Sequence, residues 1–178
     1  PSRPPHDYSY MRSVLKSAMI QDALVKAGVP GVKLVWTPEL GTGRLLSIVA
    51  IEQRFAGHSR MAGIAAAQVG PAAQMNRYVI VVDDDIDPMN LEEVMWAVCT
   101  RSDPATDIEI MRRCWGSRAN PLLVDSTAPF TGRAVIDACI PFERRQDFPR
   151  VAEADPHFLA SIAERWGAAL AGSAPKQR

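Results

Sequence analysis

The chain has 178 residues, with 20 Lys plus Arg against 20 Asp plus Glu, so its formal charge is zero. That length suits one domain of ordinary size with a real core. The even charge balance, with no basic stripe, argues against nucleic acid or an anionic membrane as partner. No apolar run approaches the roughly 20 residues that span a bilayer, and nothing resembles a signal peptide. Three widely spaced cysteines, Cys99, Cys114 and Cys139, read as reduced structural thiols of a cytoplasmic protein rather than a disulfide framework or a zinc site.

Residues 1–8 are punctuated by proline and read as an extended linker. From Ser9 to Ala27 apolar residues recur at Met11, Val14, Leu15, Ala18 and Met19, opposite Arg12 and Lys16, which predicts a helix stopped by Gly28. Val32 to Trp36 reads as a short strand, Glu39 to Gly43 as a turn, and Arg44 to Gln53 as a buried strand. A second helix is expected to open at Gly57-His58-Ser59, with Ser59 as cap, and to run through Met61, Ile64 and Ala65 to about Val69.

The strongest local pattern follows. The apolar run from Tyr78 to Val82 stops at four carboxylates, Asp83, Asp84, Asp85 and Asp87, and a helix starts at once. Two N-caps fit: Asp87 with Pro88 at the first helical position, or Asn90 with Glu93 as a capping box. Leu91, Val94, Met95 and Val98 then form one helical stripe. A calcium loop is excluded, because its sixth and twelfth positions would be Pro88 and Val94. A phosphotransferase of the haloacid-dehalogenase kind is disfavoured by Asp87, which stands where Thr or Val is required. The leading reading gives Asp85 and Asp87 to the helix N-terminus, where negative charge meets unsatisfied N–H groups. Salt bridges to other segments come second, and metal or catalysis last.

Asp107 to Met111 is a further predicted strand, and Arg112 to Arg133 reads as a long surface excursion that suggests contact with something else. Arg133 to Ile140 returns as a strand, and Pro141 to Arg150 is a charged connector. Asp155 with Pro156 opens a last helix, in which Phe158, Leu159, Ile162, Trp166, Ala169 and Leu170 make one apolar stripe. The expected fold is α/β: a mixed, largely parallel sheet flanked by helices, with an extended C-terminal helix. The expected organisation is a linker (1–8), an α/β domain (9–150), a C-terminal helix (151–171) and a tail (172–178).

Chemistry is sparse. Gly41-Thr42-Gly43-Arg44 precedes a strand, so it cannot set a phosphate against a helix N-terminus. There is no Gly-x-Ser-x-Gly elbow. His6, His58 and His157 read as cap or surface residues, and a nucleophilic Cys139 would need a base that the sequence does not show. No catalytic residue and no metal ligand set is assigned.

Several stretches nevertheless occur together in order: Phe55-Ala56-Gly57-His58, Val81-Val82-Asp83-Asp84-Asp85-Ile86-Asp87, Val94-Met95-Trp96-Ala97, Thr100-Arg101-Ser102-Asp103-Pro104-Ala105-Thr106-Asp107 and Ile136-Asp137-Ala138-Cys139. With Pro4-Pro5 ahead of them and the Pro156–Leu170 helix behind, they resemble the C-terminal part of UbiD-type decarboxylases. The resemblance covers nearly all of this chain and about the last third of the family's length, and the start at Pro1 without Met fits a longer parent.

It implies reversible decarboxylation of an aromatic, heteroaromatic or α,β-unsaturated carboxylic acid, with prenylated FMN, a divalent metal (Mn or Mg) and potassium. The flavin site and the Glu-Arg-Glu acid–base set belong to an N-terminal domain with no counterpart here, so this chain alone is expected to bind no cofactor. The resemblance makes 9–150 the oligomerisation and pocket-wall domain and 151–171 a helix for partner docking. The chain's implied partners are a second copy of itself (a homodimer or higher oligomer), the flavin-binding domain and a small aromatic acid. By the same resemblance Tyr8, Thr100, Ser102, Cys139, Ile140 and Phe142 are the expected substrate-facing residues. Ordinary core or hinge duty is the competing reading of each, and for Arg101 an ion pair with the acidic turn. The alternative function is a non-catalytic dimerisation or assembly module, and a phosphatase-like domain built on Asp83 comes third.

Overall fold

The computed structural model describes residues 3, 5–73, 75–117, 120–123, 129–152 and 155–171. The chain forms two units, residues 1–146 and 147–178. The first is built on five strands: β1 (Val32–Trp36), β2 (Leu46–Ile51), β3 (Tyr78–Asp83), β4 (Ile108–Trp115) and β5 (Phe130–Ala138). Their order is β1-β2-β3-β5-β4. β2, β3 and β5 run parallel at the centre, and both edge strands are antiparallel to their neighbours. This is the α/β sheet expected: the continuous apolar runs of β2 and β3 sit at the centre, covered on both faces.

Helices α1 (Asp7–Lys26), α2 (His58–Gln68) and the four-residue α3 (Gly70–Ala73) cover one face, over a core of Ile20, Leu24, Val35, Val49, Ala62, Ala66, Val81 and Val135. Helix α4 (Leu91–Arg101) covers the other, over Ile48, Ala50, Ile80, Val82, Val94, Ala97 and Ala138. The surface excursion expected from Arg112 to Arg133 is shorter than its lack of periodicity suggests. β4 continues to Trp115 and β5 begins at Phe130, joined past a register shift between Met111 and Cys114. Arg113, at φ 57°, adopts the left-handed backbone of that irregularity. The rest of the excursion lies partly outside the described residues.

Helices α1 and α2 pack with their small side chains inward, the reverse of the faces expected. In α1 the buried residues are Ser9, Ser13, Ser17, Ile20 and Leu24, while Met11, Val14, Leu15 and Met19 are exposed. The serines earn that position through hydrogen bonds. Ser13 and Ser17 hydroxyls donate to the carbonyls four residues back, the Thr37 N–H donates to Ser17 Oγ (2.9 Å), and Thr37 Oγ1 donates to the Ser13 carbonyl (3.0 Å). In α2 the buried residues are His58, Ser59, Ala62, Gly63, Ala66 and Ala67, and Met61 and Ile64 face outward. Small residues let each helix approach the sheet closely.

The helix ends follow sequence rules. α1 begins two residues earlier than expected, at Asp7, and closes with Gly28 at φ 80°. The Val29 N–H reaches the Leu24 carbonyl and the Gly28 N–H the Val25 carbonyl, a Schellman closure. For α4 the cap is Asn90, not Asp87. Its side chain accepts from the Glu92 and Glu93 N–H groups and donates to Glu93 Oε1 (2.8 Å). Met95 is exposed, so the buried stripe of α4 is Val94, Ala97 and Arg101. Arg133, buried at the start of the sheet, donates to the carbonyls of Ala67, Ala73 and Trp115 and so satisfies the ends of α2 and α3.

The second unit contains α5 (Pro156–Ala171), capped where Asp155 Oδ1 accepts the His157 N–H (2.7 Å). Phe158, Leu159 and Trp166 of its apolar stripe are exposed, and the expected tail at 172–178 lies outside the described residues.

A candidate substrate wall at the carboxyl ends of the strands

Asp83 ends β3 and is buried with three partners. Gln53 Nε2 donates to its Oδ1 (2.7 Å), the Ile140 N–H donates to Oδ2 (2.6 Å), and the Arg101 guanidinium stands 3.5 Å from Oδ2. Gln53 Nε2 also reaches the Ile140 carbonyl (2.8 Å), and the Arg145 guanidinium donates to the Gln53 carbonyl (3.0 Å). One carboxylate thus ties the segments leaving β2, β3 and β5 into a frame. Asp85 takes both guanidinium nitrogens of Arg101, at 2.8 and 2.6 Å. The acidic turn therefore serves as an ion-pair anchor, the second of the readings above. Asp85 is spent on Arg101 rather than on a helix cap, and Asp87 Oδ1 accepts the Met89 N–H (2.8 Å) ahead of the helix. Arg101 also lies 5.2 Å from the Trp96 ring centroid.

Beside this frame lies a cleft of about 220 Å³ whose lining includes Gln53, Ser59, Arg60, Asp107, Asp137, Cys139, Ile140 and Phe142. Asp137 is its chemical centre. The Ser59 hydroxyl donates to Asp137 Oδ2, and the Cys139 N–H donates to Oδ1 (3.1 Å). Burial pushes the Asp137 carboxyl above its ordinary range, against the pull of those two donors. A carboxyl in that state holds or passes a proton more readily than an exposed aspartate. Burial, with Asp83 and Asp137 close by, pushes the Cys139 thiol well up, so it stays protonated and is a poor nucleophile.

The six expected substrate-facing residues divide. Cys139, Ile140 and Phe142 line the cleft. Thr100 and Ser102 end α4 near the same edge of the sheet but do not line it; Thr100 is exposed and donates to the Trp96 carbonyl (2.8 Å). Tyr8 sits in the first turn of α1, which packs on the turn after β1, at the amino end of the parallel strands and so at the opposite edge of the sheet.

Asp137, Ser59 and Gln53 were missed as site residues. Ser59 reads as a helix cap in sequence, whereas Gly57, at φ 79°, holds that position and Ser59 lies inside α2, facing Asp137. The Ile136-Asp137-Ala138-Cys139 stretch carried the available signal, a carboxylate in a strand otherwise flanked by apolar residues. His58 also differs from its surface reading: it is fully buried. Its Nδ1 accepts the Arg54 N–H (3.1 Å), which leaves Nε2–H to donate to the Pro30 carbonyl (3.0 Å), and Phe55 stacks on the ring. It joins two loops as a neutral imidazole, since burial holds its pKa below the ordinary value.

A second, open and largely apolar groove of about 530 Å³ runs along the outer face of α2, past Met61, Ile64, Ala65 and Gln68, and shares Gly57 and Arg60 with the cleft. No group of three or more His, Cys, Asp or Glu is arranged to hold a metal among the described residues. A flavin fits the 220 Å³ cleft poorly, since pockets for ligands of that size run from about 300 Å³ upward.

Residues 9–138 match the family model of the 3-octaprenyl-4-hydroxybenzoate carboxy-lyase C-terminal domain. A phenolic acid decarboxylase of Escherichia coli O157:H7 is 32% identical over 117 residues, 66% of this chain and 24% of that protein. The vanillic acid decarboxylase of Sedimentibacter hydroxybenzoicus, solved in an open form, is 25% identical with a TM-score of 0.72, over 96% of this chain and 35% of that one. The UbiD-class enzyme HmfF of Pelotomaculum thermopropionicum, in complex with FMN, is 28% identical with a TM-score of 0.70, over 83% and 32%. An evolved dimeric form of HmfF in complex with prFMN is 27% identical with a TM-score of 0.60, over 82% and 28%. The chain spans between about a quarter and a third of the length of these relatives. With the family model matched over most of its length, the chain belongs to the UbiD family, whose C-terminal domain it carries.

Proposed function

We propose that this chain is the oligomerisation and substrate-pocket part of a decarboxylase that acts reversibly on an aromatic, heteroaromatic or α,β-unsaturated carboxylic acid. The observation that carries the proposal is the cleft at the carboxyl ends of the parallel strands, the edge at which open α/β sheets receive ligands. Prenylated FMN, with a divalent metal and potassium, is held by the flavin-binding domain and supplies the electron sink for loss of carbon dioxide. The FMN and prFMN complexes of HmfF support that cofactor class. This chain contributes a wall: Ile140 and Phe142 present apolar surface to a planar acid, the buried Asp137 carboxyl stands beside it, and the Asp83–Gln53–Ile140 frame fixes the strand end. The outward apolar faces of α1 and α2 dock the remainder of the protein or a second copy. This face also supports the non-catalytic reading, a pure assembly module.

The test is Phe142→Ala in the full-length enzyme. Relative kcat/KM across a set of aromatic and unsaturated acids should change while soluble yield and melting temperature hold. Parallel loss of soluble protein and of all activities would overturn the pocket role and leave the assembly reading in front.

A further inference from the structure

Three cations converge at the edge of the sheet opposite the cleft. Tyr8, Arg12 and Lys16 are spaced four apart on α1 and so share one flank of that helix. The turn Thr42-Gly43-Arg44 lies across them. A Cβ on Gly43 would stand 2.6 Å from the Ser9 carbonyl oxygen and 3.0 Å from the Ser13 nitrogen, so only glycine permits this approach. Arg12 donates to the Thr42 carbonyl (3.2 Å), and its guanidinium lies 4.1 Å from the Tyr8 ring centroid. Arg44 follows Gly43 directly and acts electrostatically on Lys16 and Tyr8. No carboxylate pairs with Arg12, Lys16 or Arg44 among the described residues. Glu39, on the same turn, accepts the His6 N–H, and Asp7 forms no ion pair with the three.

Like charges gathered half-buried without a counter-ion are costly. The cost is visible at Lys16, whose pKa falls to about 8 through burial first and then through Arg44 and Arg12. Arg44 is likewise held below its ordinary value by burial and by Arg12, and Arg12 lowers the Tyr8 hydroxyl. A ligand that brings two negative charges and several acceptor oxygens relieves all of these at once.

We propose that Tyr8, Arg12, Lys16 and Arg44 form a binding site for a phosphate-class dianion, separate from the substrate cleft. Two guanidiniums and one ammonium, carried by one flank of α1 and the turn packed against it, match a dianion better than a monocarboxylate.

The test is calorimetric titration of the chain at pH 8 and constant ionic strength with inorganic phosphate, phenyl phosphate and benzoate. Saturable binding of both phosphates is expected, with uptake of a fraction of a proton as Lys16 becomes fully charged, seen as heats that depend on buffer ionisation. Tighter phenyl phosphate than inorganic phosphate assigns the source to a phosphorylated organic molecule, and the reverse to free phosphate; either supports the site. Replacing Arg12 and Lys16 by Met together should weaken binding tenfold or more, with the circular dichroism spectrum retained. A readout that needs no variant is the Lys16 ammonium followed by NMR, whose pKa should rise when phosphate is present. No saturable phosphate binding, benzoate binding as tightly as phosphate, or an unmoved Lys16 pKa would overturn the proposal.

Discussion

Arg101 and Asp85 meet through two nitrogens and two oxygens, at 2.8 and 2.6 Å, and the same guanidinium lies 3.5 Å from Asp83. The three side chains are unequally exposed: Arg101 and Asp83 are buried, whereas half of the Asp85 side chain is exposed. Removing the buried cation strands a buried carboxylate. Arg101→Met should therefore cost about 3 kcal/mol or more of stability. Asp85→Asn, at a half-solvated position, should cost no more than about 1 kcal/mol. Urea denaturation of both variants checks the order; equal losses would mean that Asp83 does not depend on Arg101.

The same turn predicts acid sensitivity with a definite sign. Arg101 first, through its hydrogen bonds, holds the Asp85 carboxyl below its ordinary value. A carboxylate depressed in the folded state contributes stability that is present above its unfolded pKa and lost as pH falls through the folded one. Asp137 has the opposite sign: raised in the folded state by burial, it makes stability fall as pH rises from about 4 through its folded pKa. Asp137→Asn can still accept the Cys139 N–H and can donate to Ser59, so the variant should fold. Its stability, followed by denaturation from mildly acidic to neutral pH, should lose the decline that Asp137 imposes on the parent. An unchanged profile would show that Asp137 ionises normally.

His58 sets a third window. Burial lowers its pKa, so the folded protein binds fewer protons than the unfolded chain just below about pH 6.5, and stability there rises as pH rises. His58→Phe keeps the stacking surface beside Phe55 but loses the hydrogen bonds to Arg54 and Pro30. It should be less stable at neutral pH by about 2 kcal/mol, with the slope near pH 6 reduced. A parent whose His58 titrates near its ordinary value by NMR would contradict this.

Gly63 shows how close α2 comes to the sheet. A Cβ there would stand 2.9 Å from Val81 Cγ2 and closer still to Val135 Cγ1. Alanine gains about 1 kcal/mol of helix propensity over glycine, but overpacking a core costs about 1–3 kcal/mol. With two stiff valines on a central sheet as the obstacle, overpacking should win. Gly63→Ala is expected to lower the melting temperature, and a rise would mean that the helix lifts freely.

Strand positions and two of the helix ends were legible because they rest on local rules: the apolar run of β3, the Gly28 stop and the Asn90 capping box are each set by residues close in sequence. Helix orientation was not. Periodicity identifies a stripe in α1, yet it cannot tell that Ser13 and Ser17 have partners at Thr37, so it assigns the apolar side to the core. The site was half legible for the same reason. Cys139, Ile140 and Phe142 follow one strand and travel together in sequence, whereas Ser59 and Asp137 are 78 residues apart and meet only through the parallel pairing of β2, β3 and β5.

The outward face of α1 yields the last prediction. Leu15 is 63% exposed and Met19 55%, on the side of the helix away from its serine contacts. Replacing both by Lys removes apolar surface without touching the core, so the isolated chain should keep its stability to within about 0.5 kcal/mol per site. If that face docks the remainder of the protein or a second copy, the full-length variant should sediment as a smaller species and lose activity in proportion. Unchanged assembly and activity would remove α1 from the interface. A loss of several kcal/mol in the isolated chain would instead place these side chains in its own core.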